Sequence, residues 1–181
     1  MFVVGIAGKA GSGKDTVATF FTDRGFHRYA FADPIKATIN PLFGWDDRHG
    51  FGDLKEKIDL FWGVSPRYVY QVFGTEFARE LIRDDFWLRV AELRLAAHPA
   101  IVIPDVRFNN EADWIRQRGI LFHLYRDNVP EVLAHKSEAG VQRRPEDFRI
   151  LNNGTLLELD FELNRIYIDI VSPALKASIY G

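Results

Sequence analysis

Gly8-Lys9-Ala10-Gly11-Ser12-Gly13-Lys14-Asp15-Thr16 decides the reading of this 181-residue chain. The stretch fits G-x-x-x-x-G-K and stands where that pattern carries meaning. An apolar, β-branched run from Phe2 to Ala7 precedes it, and a helix-period run from Lys14 to Arg24, stopped by Gly25, follows. Glycines at 8, 11 and 13 let the backbone wrap a phosphate with no Cβ in the way. Amides at the helix N-terminus then point inward as an anion nest. Lys14 reaches the terminal phosphates of a nucleotide as a point charge, and Gly11, Ser12, Gly13, Asp15 and Thr16 complete the candidate nucleotide-binding set. The Ser/Thr that usually follows the lysine and serves magnesium is Asp15 here, which points to a metal shell reached through water. Lys9 is placed to touch a donor or an acceptor phosphate.

Outward from the loop, strands and helices alternate. Phe26 to Phe31 reads as a second strand. Asp33-Pro34 opens a helix, with Asp33 as its cap and Pro34 at the first helical position. Gly44 to Val64 is a glycine-punctuated excursion with some helix. Ser65-Pro66 starts a helix to Phe73, Gly74-Thr75 interrupts it, and Thr75 caps a segment from Glu76 to Arg83. A further helix runs from Phe86 to Ala97. Ala100 to Pro104 is a buried strand delivering Asp105, then Glu111 to Arg118 is a helix and Ile120 to Tyr125 a strand. Residues 127–147 are polar and read as a lid. Phe148 to Leu151 is a last short strand, Asn152-Asn153-Gly154 a turn, and Thr155 with Glu158 a capping box before a helix toward Val171. The pattern predicts an α/β P-loop NTPase three-layer sandwich: a parallel five-stranded sheet, helices on both faces, a lid, and a helical insertion at about 44–97, all in one domain.

Composition narrows the function. Net charge is −2 and the chain has an ordinary 27% of charged residues, so there is no basic footprint for duplex nucleic acid. Cysteine is absent, which excludes disulfides, thiolate catalysis and Cys-ligated zinc. Neither a signal peptide nor a membrane span is expected.

Phosphoryl transfer is mostly positioning and charge stabilisation, so a second set of polar residues is needed. Asp105, at a strand end, is a candidate for catalysis and, with Asp15, for water-mediated metal binding. Lys36, one turn into its helix, can bind an acceptor phosphate. Arg67 and Gln71 share a helix face at i, i+4; an arginine can fork a phosphate and a glutamine can read a base edge. Gly74, Thr75, Asp33, Arg107 and Glu138 extend the acceptor-side set. Arg126, at a strand end, and the lid pair Arg143-Arg144 are candidates for neutralising charge in transit.

These residues together resemble the bacteriophage deoxynucleoside monophosphate kinases over nearly the whole chain. The resemblance rests on the loop from Gly8 to Thr16, Ala32-Asp33-Pro34-Ile35-Lys36, Ser65-Pro66-Arg67 with Gln71-Val72-Phe73-Gly74-Thr75-Glu76, Ile103-Pro104-Asp105-Val106-Arg107 with Asn110-Glu111, His135-Lys136-Ser137-Glu138, and Asn152-Asn153-Gly154-Thr155-Leu156. It implies ATP with Mg²⁺ as donor, a deoxynucleoside 5′-monophosphate as acceptor, a homodimer with the extra helices at its interface, and action in a host bacterial cytoplasm. In that family Asp15 is the expected residue. Three readings compete: a P-loop kinase for another small phosphorylated metabolite, a non-catalytic ATP-binding module, and a simple ATPase or GTPase. Against a GTPase, the chain has no Asn-Lys-x-Asp.

Overall fold

The computed structural model describes residues 1–129, 136 and 140–180. They divide into two compact units, Met1–Ala30 with Glu92–Gly181, and Phe31–Ala91.

The first unit is built on a five-stranded parallel sheet of order β2-β3-β1-β4-β5. The strands are β1 (Phe2–Ala7), β2 (His27–Arg28), β3 (Ala100–Val106), β4 (Gly119–Tyr125) and β5 (Phe148–Leu151). Central strands of such a sheet are covered on both faces and read as apolar runs, as β1 does throughout and β3 does up to Asp105. Side chains alternate between the faces. Phe2, Val4 and Ile6 share a core with Val102, Phe122, Leu124 and Ile150. Helix α1 (Lys14–Thr22) covers this core with Val17, Ala18 and Phe21, and the helix Leu156–Ile166 covers it with Leu159 and Leu163. Phe21 is fully buried and stacks on Phe122 at 6.0 Å; removing such a ring from water contributes about 2–3 kcal/mol. The opposite face receives the helix Asn109–Arg116, where a Cβ at Gly5 would come within 2.6 Å of Ile115 Cδ1.

The second unit is helical: α2 (Asp33–Phe43), α3 (Asp47–Gly50), α4 (Pro66–Gln71), a π-helical stretch over Val72–Ile82, and the start of α5 (Phe86–Leu95). Its aromatic residues are tied down by polar tips. Trp45 Nε1 donates to Asp59 at 2.7 Å, Trp62 Nε1 to Phe43 O at 3.0 Å, and the Tyr70 hydroxyl to Asn40 Oδ1 at 2.5 Å. Burial pushes the Tyr70 phenol up to about 12, so it stays a donor. After β3 come α6 (Asn109–Arg116), α7 (Leu156–Ile166), a π turn at Tyr167–Val171, and α8 (Ser172–Tyr180).

Four sequence expectations are corrected. The second strand spans two residues, not six; Tyr29 N still bonds Val102 O at 3.0 Å just past it, and α2 begins at Asp33. Asp33 is the first helical residue rather than the cap, which is Ala32 in an αR conformation. No break occurs at Gly74-Thr75. Gly74 lets Ile35 approach, since a Cβ there would lie 2.8 Å from Ile35 Cδ1, and its carbonyl accepts from Trp87 Nε1 at 2.7 Å. Thr75 is therefore a buried mid-helix residue and caps nothing. The last helix passes Val171 and continues to Tyr180. The caps at Ser65 and at Thr155 with Glu158 are as expected.

Candidate nucleotide-binding site

The loop 8–13 leaves the C-terminal end of β1 and enters α1, at the sheet end where α/β folds of this kind bind ligands. Gly11 and Gly13 sit at φ +76° and +99°, a left-handed backbone that a side chain resists. Lys14 Nζ donates to Gly8 O at 2.8 Å and Lys9 O at 2.7 Å, so the ammonium lies across the mouth of the loop. Lys9, Asp15 and Thr16 are exposed. Asp15 pairs with Arg28 Nη2 at 2.9 Å, an arginine that sequence reading did not single out.

The loop is held from behind by Asn152. Its side chain donates to Ser12 O at 2.8 Å in a buried contact, and its own N–H donates to Tyr125 O at 2.7 Å. Asn153 exchanges two bonds with Asp127, each 2.8 Å long. Beside the loop lies an open depression of about 550 Å³ lined by Gly11, Arg126, Asp127, Asn128, Val129 and Asn153. In the sequence Asn152 and Asn153 read as turn residues. Two asparagines directly after a strand, at a loop-bearing sheet end, were the available signal.

Ala7 of β1 stands beside Val106 of β3 in parallel register, so Asp105 and Arg107 emerge at the same sheet end as the loop. Glu111, only 2% exposed, accepts from Arg107 N at 2.8 Å and Phe108 N at 3.1 Å and fixes that turn. Asp105 is half-buried. Among the described residues no group of three or more carboxylates and imidazoles converges on one point. Magnesium needs no such group, since it keeps its waters and takes one or two carboxylates together with substrate phosphates.

The arginines expected in the lid are engaged. Arg144 Nη2 pairs with Asp113 at 2.7 Å, and Arg143 Nη2 donates to Asp147 O at 3.3 Å. Asp147, 4% exposed, also accepts from Arg116 Nη2 at 2.6 Å, from Arg144 N at 2.7 Å and from His123 Nε2 at 3.0 Å. Burial pushes its carboxyl up, but Arg116, the Arg144 amide and His123 together hold it below the usual carboxylate range. For His123 burial outweighs Asp147 and holds the imidazole down. The lid candidate Glu138, with His135 and Ser137, lies outside the described residues.

In the second unit, α2 and α4 bring their cations to one segment. Lys36 Nζ stands 3.5 Å from the centre of the Phe51 ring. Arg67 Nε meets Glu56 at 2.5 Å, and Arg67 N donates to Lys55 O at 3.0 Å. Gln71 is half-buried at the end of α4, and Asp33 is half-buried at the start of α2. Gly74 and Thr75 are buried within the helix.

Residues 51–163 match the family described as deoxynucleotide monophosphate kinase. A protein of Acanthamoeba polyphaga mimivirus, provisionally given that name, is 32% identical over 177 residues, covering 87% of this chain and 92% of its own. The deoxynucleoside-5′-monophosphate kinase of Escherichia phage T5 is 26% identical over 191 residues, covering 70% and 75%. Among solved structures, TT1252 from Thermus thermophilus superposes with a TM-score of 0.52 at 16% identity, covering 93% of this chain and 97% of its own. That last likeness bears on the fold.

Proposed function

The chain belongs to the deoxynucleotide monophosphate kinase family, and on that premise we propose that it transfers the γ-phosphoryl group of ATP to a deoxynucleoside 5′-monophosphate, giving the diphosphate and ADP. The observation that carries this reading is the loop 8–13: left-handed glycines, a lysine across its mouth and a helix N-terminus behind it. Such a nest has little use except to hold phosphate.

In this reading Gly11, Ser12, Gly13, Asp15 and Thr16 hold the donor phosphates, and Lys14 meets the charge that builds on the transferred group. The depression beside Gly11 takes the base and ribose of ATP, with Arg126 at its rim. Lys9, Asp33, Lys36, Arg67, Gln71, Gly74, Thr75, Arg107 and Glu138 are the residues proposed to serve the acceptor. Asp105 and Asp15 would hold magnesium through water. A magnesium ion held there would supply positive charge against the phosphates. No covalent enzyme intermediate is needed, because the acceptor's own phosphate oxygen attacks once aligned.

The site of action, a host bacterial cytoplasm, and the homodimer belong to the same reading. Leu60, Phe61 and Leu81, exposed in the second unit, supply apolar surface for a dimer, and sedimentation measures it. Among the described residues no helix is long and apolar enough to cross a membrane.

The test is ADP release from MgATP with each deoxy- and ribonucleoside monophosphate in turn. Release that requires a deoxynucleotide is the expected result. Release without any acceptor would make the chain an ATPase, and none at all would leave an ATP-binding module.

A further inference from the structure

We propose that Asn152 is a positioning residue for the donor phosphates, holding the Ser12–Gly13 peptide so that the Gly13 amide faces the anion. The inference rests on the donor-side reading of the loop and names the part that keeps it in its phosphate-holding form.

Asn152 is the first residue after β5 and is 7% exposed. Its backbone is pinned to the end of β4 through Tyr125 O, so its side chain starts from a rigid point. From there Nδ2 donates to Ser12 O at 2.8 Å. The Ser12–Gly13 peptide is trans, because the described chain contains no cis bond. In a trans peptide the C=O and N–H point in opposite directions. Drawing the Ser12 carbonyl toward Asn152 therefore turns the Gly13 N–H to the other side, where it joins the amides that open α1.

Gly13 has two reasons to be glycine, and both lead to Asn152. Its φ of +99° disfavours a side chain, and a Cβ there would overlap Asn152 Nδ2. The missing Cβ is the space through which the asparagine reaches the loop. Ser12 supplies no alternative anchor from its side chain: the hydroxyl, 1% exposed, has no hydrogen-bond partner. Its amide donates to Lys9 O at 3.2 Å, which leaves the orientation of the next peptide unset. Glycine on one side of that peptide makes a flip cheap, so an external restraint on the carbonyl decides which face the amide shows.

Asn152→Ala removes the restraint, and Asn152→Leu removes it while keeping a branched side chain and adding no charge. Steady-state kinetics on the full chain, varying MgATP and deoxynucleotide separately, and the unfolding temperature without nucleotide are the readouts. Loss of one such bond predicts a rise of about tenfold in the KM for ATP. The KM for the deoxynucleotide should stay within about twofold, a split that loss of general stability would not give. An unchanged KM for ATP in either folded variant, beside an active wild type, overturns the inference, as does an equal rise in both KM values. A wild-type chain that neither binds nor turns over ATP removes the donor-side reading and the inference with it.

Discussion

The phosphate loop and the segment around Phe51 and Glu56 both present cations, and they hold them in opposite ways. In the loop the main chain does the work: Lys14 is bonded to two carbonyls, the glycines take left-handed angles, and a buried asparagine secures a third carbonyl from behind. In the second unit Lys36 and Arg67 each meet an exchangeable side chain. Lys36 lies over Phe51, and Arg67 pairs with Glu56, whose side chain is 61% exposed. Backbone partners cost little entropy to hold and do not move away when a ligand arrives. Side-chain partners can be exchanged for a phosphate. On the proposed function, the donor end would be a fixed cradle, and Lys36 and Arg67 would be held in contacts that an acceptor phosphate can replace.

The largest expected effect tests the fixed end. Lys14→Ala should lower kcat/KM by about a thousandfold, the scale of losing a charge aimed at the transition state. Its two carbonyl partners lie at an exposed site, so the unfolding free energy should change by under about 1 kcal/mol. Activity near wild type in a folded Lys14→Ala protein would remove the loop from the mechanism.

Next comes the buried network that ties residues 143–147 to α6 and β4. Asp147→Asn should cost about 2 kcal/mol at neutral pH, since it takes from the largely buried Arg116 one of its two carboxylate partners and leaves it only Asp113. The pH dependence follows from the directions of the shifts. His123 is held below its ordinary value, so the native state resists its protonation and stability falls as pH drops below about 6.5. Asp147 is also depressed, so its contribution is complete above the ordinary carboxylate value of about 4 and is lost as pH falls through its folded value. Urea titrations across this range should show both losses in the wild type and only the first in Asp147→Asn. A variant with unchanged stability and an unchanged acid limb would mean that the network is not what anchors this segment.

The uneven legibility of the sequence follows the same division. β1, the loop and α1 could be read because their signals are local: an apolar run, fixed glycine spacing, a helical period. The box at Thr155 and Glu158 is likewise contained in four residues. What escaped depends on partners far along the chain. Gly74-Thr75 looks like a break until Ile35 and Trp87 supply the contacts that a glycine admits and a carbonyl satisfies. Asn152 looks like a turn residue until Ser12 is placed 140 positions away. Asp147 looked like part of a polar lid, although its partner left a trace. His123 interrupts the apolar strand Ile120-Leu121-Phe122-His123-Leu124, and a buried imidazole calls for a hydrogen-bond partner. The strand face could be read from the register; the identity of the partner could not.

Arg67→Ala tests the replaceable end and should act through the acceptor alone. The KM for the deoxynucleotide should rise about 30-fold, the range for losing a charge-assisted contact to phosphate, with the KM for ATP unchanged. Equal changes in both KM values would mean that Arg67 supports the second unit rather than the acceptor, and its half-buried position beside Lys55 would then be its whole role.

The smallest effect divides the two modes of holding most sharply. If Glu56 only keeps Arg67 company until a phosphate arrives, Glu56→Gln removes a competitor. Exposed ion pairs are worth under about 1 kcal/mol, so the KM for the deoxynucleotide should fall by about two- to fivefold. The gain should shrink as salt is raised, because salt already screens the pair in the wild type. A KM that rises instead would show that the carboxylate aims the guanidinium. The second unit would then share the logic of the loop, with Glu56 doing for Arg67 what Asn152 does for the Ser12 carbonyl.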